Sequence, residues 1–266
     1  MFKRAAPVQA AVKLPEKTSP PEIYKAKFGD VSGFLMDEAV AIWDFLLSFQ
    51  RQYEVGGNFF EIGVLNGKSA YLGALYLRPD EDCLLVDYNN VDHVADGMIR
   101  NGLKPAQVLQ VRSDSPIVER QFGDYHGTVR FFHIDGSHTG FSTLSDLRLA
   151  AKFLAHRGII CVDDFPSIRY PQLIAAVYKF LFDNDPIYKM VLCGMNKCYI
   201  VHAADYALYE SAIRDGLYEH MKRAGHHQIC LSKTSYAHDM GCFGISHNWG
   251  GLDIYGLDDD PSYLPF

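Results

Sequence analysis

Apolar and polar positions along the chain follow two periods, and the switches between them mark out the elements. Over residues 37–50, Val40, Trp43 and Leu47 recur at helical spacing with Ala39, Ile42 and Leu46 beside them, which predicts a helix with a wide apolar stripe. Gly56-Gly57 ends it. Short apolar runs then occupy 58–64, 83–87, 108–111, 128–134 and 158–162, as strands covered on both faces do. Helix-length segments separate them, at 68–76, 91–101 and 141–155, the last with Leu144, Leu147, Ala151 and Leu154 in register. Leu173, Val177 and Phe180 mark a further helix, and residues 204–224 read as helical. Residues 188–192 and 199–201 flank Gly194-Met195-Asn196, a short turn that makes the two strands antiparallel.

Strands alternating with helices imply parallel pairing through crossover connections. The predicted fold is therefore α/β, a Rossmann-like three-layer sandwich. Its sheet is expected to be mostly parallel and seven-stranded, with one antiparallel strand near the C-terminal end. Residues 1–21, rich in Ala, Pro and Lys, are expected to form a flexible N-terminal arm, and 22–224 the main domain. Residues 225–266, rich in Gly, His and aromatics and without a period, form a C-terminal extension: a lid, a dimer arm or a packed tail.

Composition narrows the class. The 266 residues are 48% hydrophobic, enough for one full core. A net charge of −7 with no basic block argues against nucleic acid and anionic membranes. Six scattered cysteines show no CxxC spacing, which reads as reduced thiols in a cytoplasmic protein. The N-terminus lacks the apolar core of a signal peptide, and no apolar run approaches membrane-spanning length. The arm makes a homodimer a possible partner arrangement.

The strand ends carry the candidate chemistry. Parallel strands finish at one edge of the sheet, so Asp135, Asp163 and Asp164 are expected to converge there with His138 close by. Hard oxygen donors suit Mg2+ or another divalent cation, and a cation that stabilises an alkoxide eases loss of a hydroxyl proton. The plainer reading is solvated loop acids. His138 has the chemistry of a general base, or of a helix-start histidine bonded to backbone. His133, inside a doubly covered strand, reads as a core histidine, and His226, His227, His238 and His247 lack ligand spacing. At the first strand-to-helix turn, Glu61-Ile62-Gly63 is followed by Gly67. Glycine there allows close ligand approach, or is simply turn geometry. The GxGxxG fingerprint of NAD and FAD sites is absent. A carboxylate inside the first strand suits a cationic cofactor instead, such as S-adenosylmethionine. Asp87, ending the second strand, is where ribose hydroxyls are held in such sheets. Ser113-Asp114-Ser115 could meet an adenine edge or make a turn.

In this order, FFEIGVLNGKSA, LLVDYN, the Ser113–Ser115 turn, FFHIDGSH and GIICVDDF resemble the class I S-adenosylmethionine-dependent methyltransferases. Within them, the chain is similar to the metal-dependent O-methyltransferases of macrolide-sugar and natural-product tailoring. The likeness covers 59–165 and, in strand order, extends to 201. It implies Glu61 and Gly63 near the methionine end of the cofactor, with Asn66, Gly67 and Ser69 lining the same loop. It further implies Asp87 on the ribose and Ser113 and Asp114 near the adenine. Asp135, Asp163 and Asp164 would bind magnesium, Asp135 also facing the cofactor. His138 matches the position of the base, with Asp135 the other candidate. Leu65 departs from the family, whose loop has a glycine there. The implied activity is magnesium-dependent methylation of a hydroxyl on a small molecule or sugar, lost in EDTA. The alternatives are a metal-independent N- or carboxyl-methyltransferase and a non-catalytic cofactor-binding protein.

Overall fold

Phe59, Phe60, Glu61 and Ile62 are all buried, and the strand they belong to, β1 (Asn58–Ile62), lies between two parallel neighbours. The computed structural model describes residues 18–113, 115–233, 241–248 and 254–256. Before β1 come α1 (Pro20–Phe28) and α2 (Asp37–Gln52). After it follow α3 (Lys68–Ala74), β2 (Cys83–Asp87), α4 (Asp92–Arg100), β3 (Val108–Arg112), α5 (Ser115–Gln121) and β4 (Val129–Ile134). Then come α6 (Gly140–Phe153), β5 (Leu154–Asp163), α7 (Pro171–Asp183), β6 (Tyr188–Gly194) and β7 (Lys197–His202). The chain continues through α8 (Tyr206–Ala212), a π-helical turn, α9 (Tyr218–Arg223), β8 (Ile229–Lys233), β9 (Phe243–His247) and β10 (Ile254–Gly256).

The strand order is β10-β8-β9-β6-β7-β5-β4-β1-β2-β3. β3, β2, β1, β4 and β5 run parallel, and β7 runs against both β5 and β6. These seven strands, one reversed, are the sheet expected from the hydrophobic pattern. The expectation of seven strands with one antiparallel is corrected, because the described sheet has ten strands and β8 and β10 join β7 in running against the rest. β9 adds parallel to β6, β8 antiparallel to β9 and β10 parallel to β8. An uncovered β6 would present a row of unpaired backbone groups, and the C-terminal segment pairs with that edge. Its strands are only three to five residues long, too short for their alternation to stand out in the sequence. The join is close: at Gly194 (φ +136°) a Cβ would lie 1.7 Å from the Ile245 carbonyl oxygen.

Helices cover both faces. α1–α4, α8 and α9 pack over one core and α5–α7 over the other. The predicted stripe of α2 is buried throughout. Trp43 meets Phe131 edge-on at 4.7 Å and His133 at 4.8 Å between ring centroids. Burying each large apolar side chain of this stripe contributes roughly 1.5–3 kcal/mol. α1 starts at Pro20, inside the stretch expected as an arm, because Phe28 stacks on Tyr71 of α3 at 4.3 Å. Residues 1–17, the remainder of that arm, lie outside the described residues. α5 was not expected. All six cysteines are free thiols. Among the described residues no helix is long and apolar enough to cross a membrane.

Gly194→Ala should cost about 1–3 kcal/mol for the forced backbone conformation alone and loosen β9. Urea unfolding, with hydrogen exchange at residues 243–247, checks both; unchanged protection of β9 would refute the close approach.

Candidate active site

The loops after β1, β2 and β4 are tied by backbone hydrogen bonds. Gly63 N–H donates to the Val86 carbonyl and Asp135 N–H to the Ile62 carbonyl, each at 2.8 Å. A Cβ on Gly63 (φ +87°) would sit 1.9 Å from the Asp135 carbonyl oxygen, so only glycine lets the two strand ends meet. Leu65 adopts φ +49°, a left-handed conformation that costs a non-glycine residue about 1–2 kcal/mol. Its N–H donates to Asp87 Oδ2 at 2.8 Å, and Asn89 N–H donates to Asp87 Oδ1 at 2.7 Å. Asp87 thus clamps the turn that the absent glycine would have eased. Each of its oxygens keeps a lone pair for another donor. Asn66 is half-buried in the turn, and Gly67 (φ +79°) leads into α3. Ser113 lies beside β2, its N–H on the Asp87 carbonyl at 3.0 Å. Asp114 falls outside the described residues.

Beneath this loop, four adjacent strands contribute one polar side chain each. Register sets Glu61 opposite His133 and Asp163 opposite Lys197. Ser69 Oγ donates to Glu61 Oε1, which also takes His133 Nδ1 at 2.8 Å. His133 Nε2 meets Lys197 Nζ at 3.3 Å, and Lys197 Nζ meets Asp163 Oδ2 at 2.7 Å. An ammonium has no lone pair, so it must donate to Nε2. That assigns the His133 proton to Nδ1, where Glu61 accepts it. The core histidine expected from the sequence is therefore a neutral bridge between a glutamate and a lysine. Trp43 roofs the row, with Lys197 Nζ 5.7 Å from its ring.

The charges reflect these contacts. Burial opposes the Lys197 ammonium, but Asp163, Cys161 and Asp135 outweigh it and hold its pKa above the ordinary value. Burial likewise raises Asp163, but the Lys197 ammonium and the hydrogen bond from the Asp164 N–H bring it below the usual carboxylate range. Asp135 has no such partner, and burial together with the charge of Asp163 pushes it well up.

The row continues towards His138. Asp164 (φ +55°) donates its N–H to Asp163 Oδ1 at 2.8 Å. Asn196 Nδ2 bridges Asp163 Oδ1 at 3.3 Å and Asp164 Oδ1 at 2.8 Å. Asp164 Oδ2 pairs with His138 Nε2 at 2.7 Å. The His138 ring stacks on Tyr170 at 4.3 Å, and its carbonyl accepts from Gln172 Nε2 at 2.6 Å. Thr139 caps α6 directly after it.

The structure thus gathers Asp135, Asp163, Asp164 and His138 at one edge, as the strand pattern implied. As they stand, however, the three aspartates expected to bind magnesium do not fit a divalent ion. Asp163 is taken by Lys197, and Asp164 by His138 and Asn196. Asp135, His138 and Asp163 line a small cleft open to solvent. Among the described residues no group of three or more His, Cys, Asp or Glu side chains is placed to hold a metal. His226 and His247 each lie 3.7 Å from Glu38, and His238 is outside the described residues.

Sequence reasoning missed Lys197, Asn196 and Tyr170. For Lys197 a signal existed. It precedes Tyr199 and Val201 on the buried face of β7, and a lysine at such a position needs an acid across the ladder.

Residues 60–165 match the family model of a methyltransferase domain. No curated protein matches the chain. Among solved structures, the MycE methyltransferase of the mycinamycin biosynthetic pathway, in complex with Mg, SAH and mycinamycin VI, is 15% identical with a TM-score of 0.52. The alignment covers 70% of this chain and 55% of that one, so the chain spans about half of MycE. A Corynebacterium glutamicum protein aligns with a TM-score of 0.50 and 11% identity, over 71% of this chain and 91% of its own. The O-methyltransferase NovP aligns at 0.48 and 15% identity, over 60% and 78%. Over residues 60–165 the chain is similar to a methyltransferase domain, and it shares the fold of MycE.

Leu65→Gly should stabilise the protein by about 0.5–1 kcal/mol, since relief of the left-handed strain exceeds the entropy cost of glycine. Its side chain is 59% exposed, so little packing is lost. Chemical denaturation reads the sign; destabilisation would contradict the strain at this turn.

Proposed function

We propose that the chain transfers the methyl group of S-adenosylmethionine to a hydroxyl of a small organic molecule, and that His138 removes the hydroxyl proton. The observation that carries this reading is the 2.7 Å pair of His138 and Asp164, at the strand edge that also bears the Gly63–Gly67 turn. The chain's residues suit the cofactor. Glu61 Oε2 is buried without a hydrogen-bond partner, an unanswered acceptor on the side where the cationic end of the cofactor would lie. Asp87 retains lone pairs for ribose hydroxyls, and Ser113 stands next to it. The cofactor supplies a methyl group already activated on a sulfonium. The protein's part is then mainly positioning and a base. MycE, a relative in fold, was solved with SAH, which supports the same cofactor here.

Asp164 accepts from Nε2–H of His138 and so leaves the Nδ1 lone pair for the acceptor proton, as an orienting carboxylate does in other histidine bases. The imidazolium formed would be held by the same carboxylate. Asp135, whose carboxyl is pushed up by burial and by Asp163, faces the acceptor side without a partner of its own. The acceptor's character is suggested by the rim. Phe34, Leu65, Tyr88, Phe141 and Ile168 are exposed on the loops or helix starts around this edge. A cavity of about 220 Å³ opens near the turn after α1, lined by Tyr24, Leu35, Val40 and Lys68 among others. Mixed apolar and polar surroundings favour an amphiphilic natural product or modified sugar over a polymer. Magnesium dependence, the finer part of the family resemblance, is not used in this mechanism because Asp163 and Asp164 are otherwise paired.

S-adenosylhomocysteine should raise the melting temperature and bind saturably in calorimetry. His138→Ala should lower kcat by about 10²–10⁴-fold, scored as S-adenosylhomocysteine release across a panel of hydroxylated acceptors, with unchanged cofactor affinity. Undiminished turnover in that variant would point to N- or carboxyl-methylation instead.

A further inference from the structure

We infer that Lys197 takes the place of the divalent cation at this site, so that the acid cluster is electrostatically complete without a metal. The inference rests on the O-methyltransferase reading for its functional meaning, but its structural basis is independent. Strand ends at Asp135, Asp163 and Asp164 create an excess of negative charge that has to be answered. Lys197 answers it from within the sheet. It is the first residue of β7, set directly across from Asp163 by the antiparallel register. Its side chain is 2% exposed, and Nζ lies 2.7 Å from Asp163 Oδ2.

The ammonium is held on every described side. His133 Nε2 accepts from it at 3.3 Å, and the Trp43 ring faces it at 5.7 Å. His133 is in turn fixed by Glu61. Nothing in this arrangement is a loose surface ion pair that a metal would sweep aside. A divalent ion on the same carboxylate would stand against a fixed positive charge in a poorly screened interior.

The second aspartate is committed as well. Asn196, adjacent to Lys197 in the chain, donates to both Asp163 and Asp164, and Asp164 pairs with His138. Lys197 and Asn196 therefore do together what a metal would do for this cluster. They neutralise one acid, orient the next, and through it set the imidazole. Lys197 is a positioning residue, since it reaches His138 only through Asp163, Asn196 and Asp164.

The test is Mn2+ titration of the full-length protein, with free Mn2+ read by electron paramagnetic resonance, in the presence and absence of S-adenosylhomocysteine. The wild type is expected to show no saturable site up to about 1 mM, the weak end of biological divalent sites. S-adenosylhomocysteine binding, and turnover of any acceptor found, should be indifferent to EDTA. Lys197→Met, which removes the charge, should gain a saturable Mn2+ site and a melting temperature that rises with Mg2+. Lys197→Arg, which keeps the charge, should gain neither. A saturable wild-type site that disappears in Asp135→Asn overturns the inference, whether or not Lys197→Met folds. Failure to bind S-adenosylhomocysteine would instead strike the methyltransferase reading and leave the Mn2+ result to stand on its own.

Discussion

An ammonium buried in a protein interior persists only where its charge is answered by a carboxylate in good geometry. Lys197 and Asp163 meet that condition at 2.7 Å, and the rest of the site is arranged around their pair. On one side His133 and Glu61 lead to Ser69 at the start of α3. On the other, Asn196 and Asp164 lead to His138. The loop expected to hold the cofactor and the imidazole expected to take a proton are thus the two ends of one hydrogen-bonded row. Trp43 and α2 exclude water from its middle. Breaking a buried pair costs far more than its net worth in the intact protein, because the surviving charge is stranded. The row is therefore rigid for the same reason that it is expensive.

What the sequence makes legible follows from how each feature is encoded. Parallel strands covered on both faces are continuous apolar runs, and their acidic ends stand out; Asp87, Asp135 and Asp163 could be read directly for that reason. The glycine turn is equally local: Gly63 and Gly67 have positive φ, and only glycine tolerates the approach of Asp135. Partners across a sheet are encoded by register, which no short window contains. His133 looks like any core histidine until β1 and β7 are placed beside its strand. Lys197 alternates with Tyr199 and Val201 on a buried face, but the acid that answers it is not named until register sets it opposite Asp163. The aspartates were brought to one place, yet their partners decide what they do there, and Asn196 and Lys197 come from the β6–β7 hairpin, more than 30 residues along the chain.

The tail shows the same limit. β8–β10 run for only three to five residues each, too few for a period to be read, and they are placed by pairing outward from the free edge of β6. Their pairing depends on Gly194, where the backbone of β9 comes within reach of a position with no Cβ. Gly194-Met195-Asn196 is also the turn that delivers Asn196 and Lys197 to the acids. One short segment thus both joins the added strands to the sheet and supplies the polar groups of the site.

This double duty shows how strand-end acids that would suit a metal can be paired from within the sheet instead. The acids belong to β4 and β5, whose sequence is constrained by the core on both faces. Their counter-charge comes from the hairpin between β6 and β7, which packs against the same edge but carries its own side chains. A lysine at the first position of β7 converts the cluster from an open set of oxygen donors into a closed network, without moving a strand. Asp135 alone is left without a partner among the described residues. It is the acid nearest the cofactor turn through the Gly63 contact. The network is complete at His138 and open at Asp135.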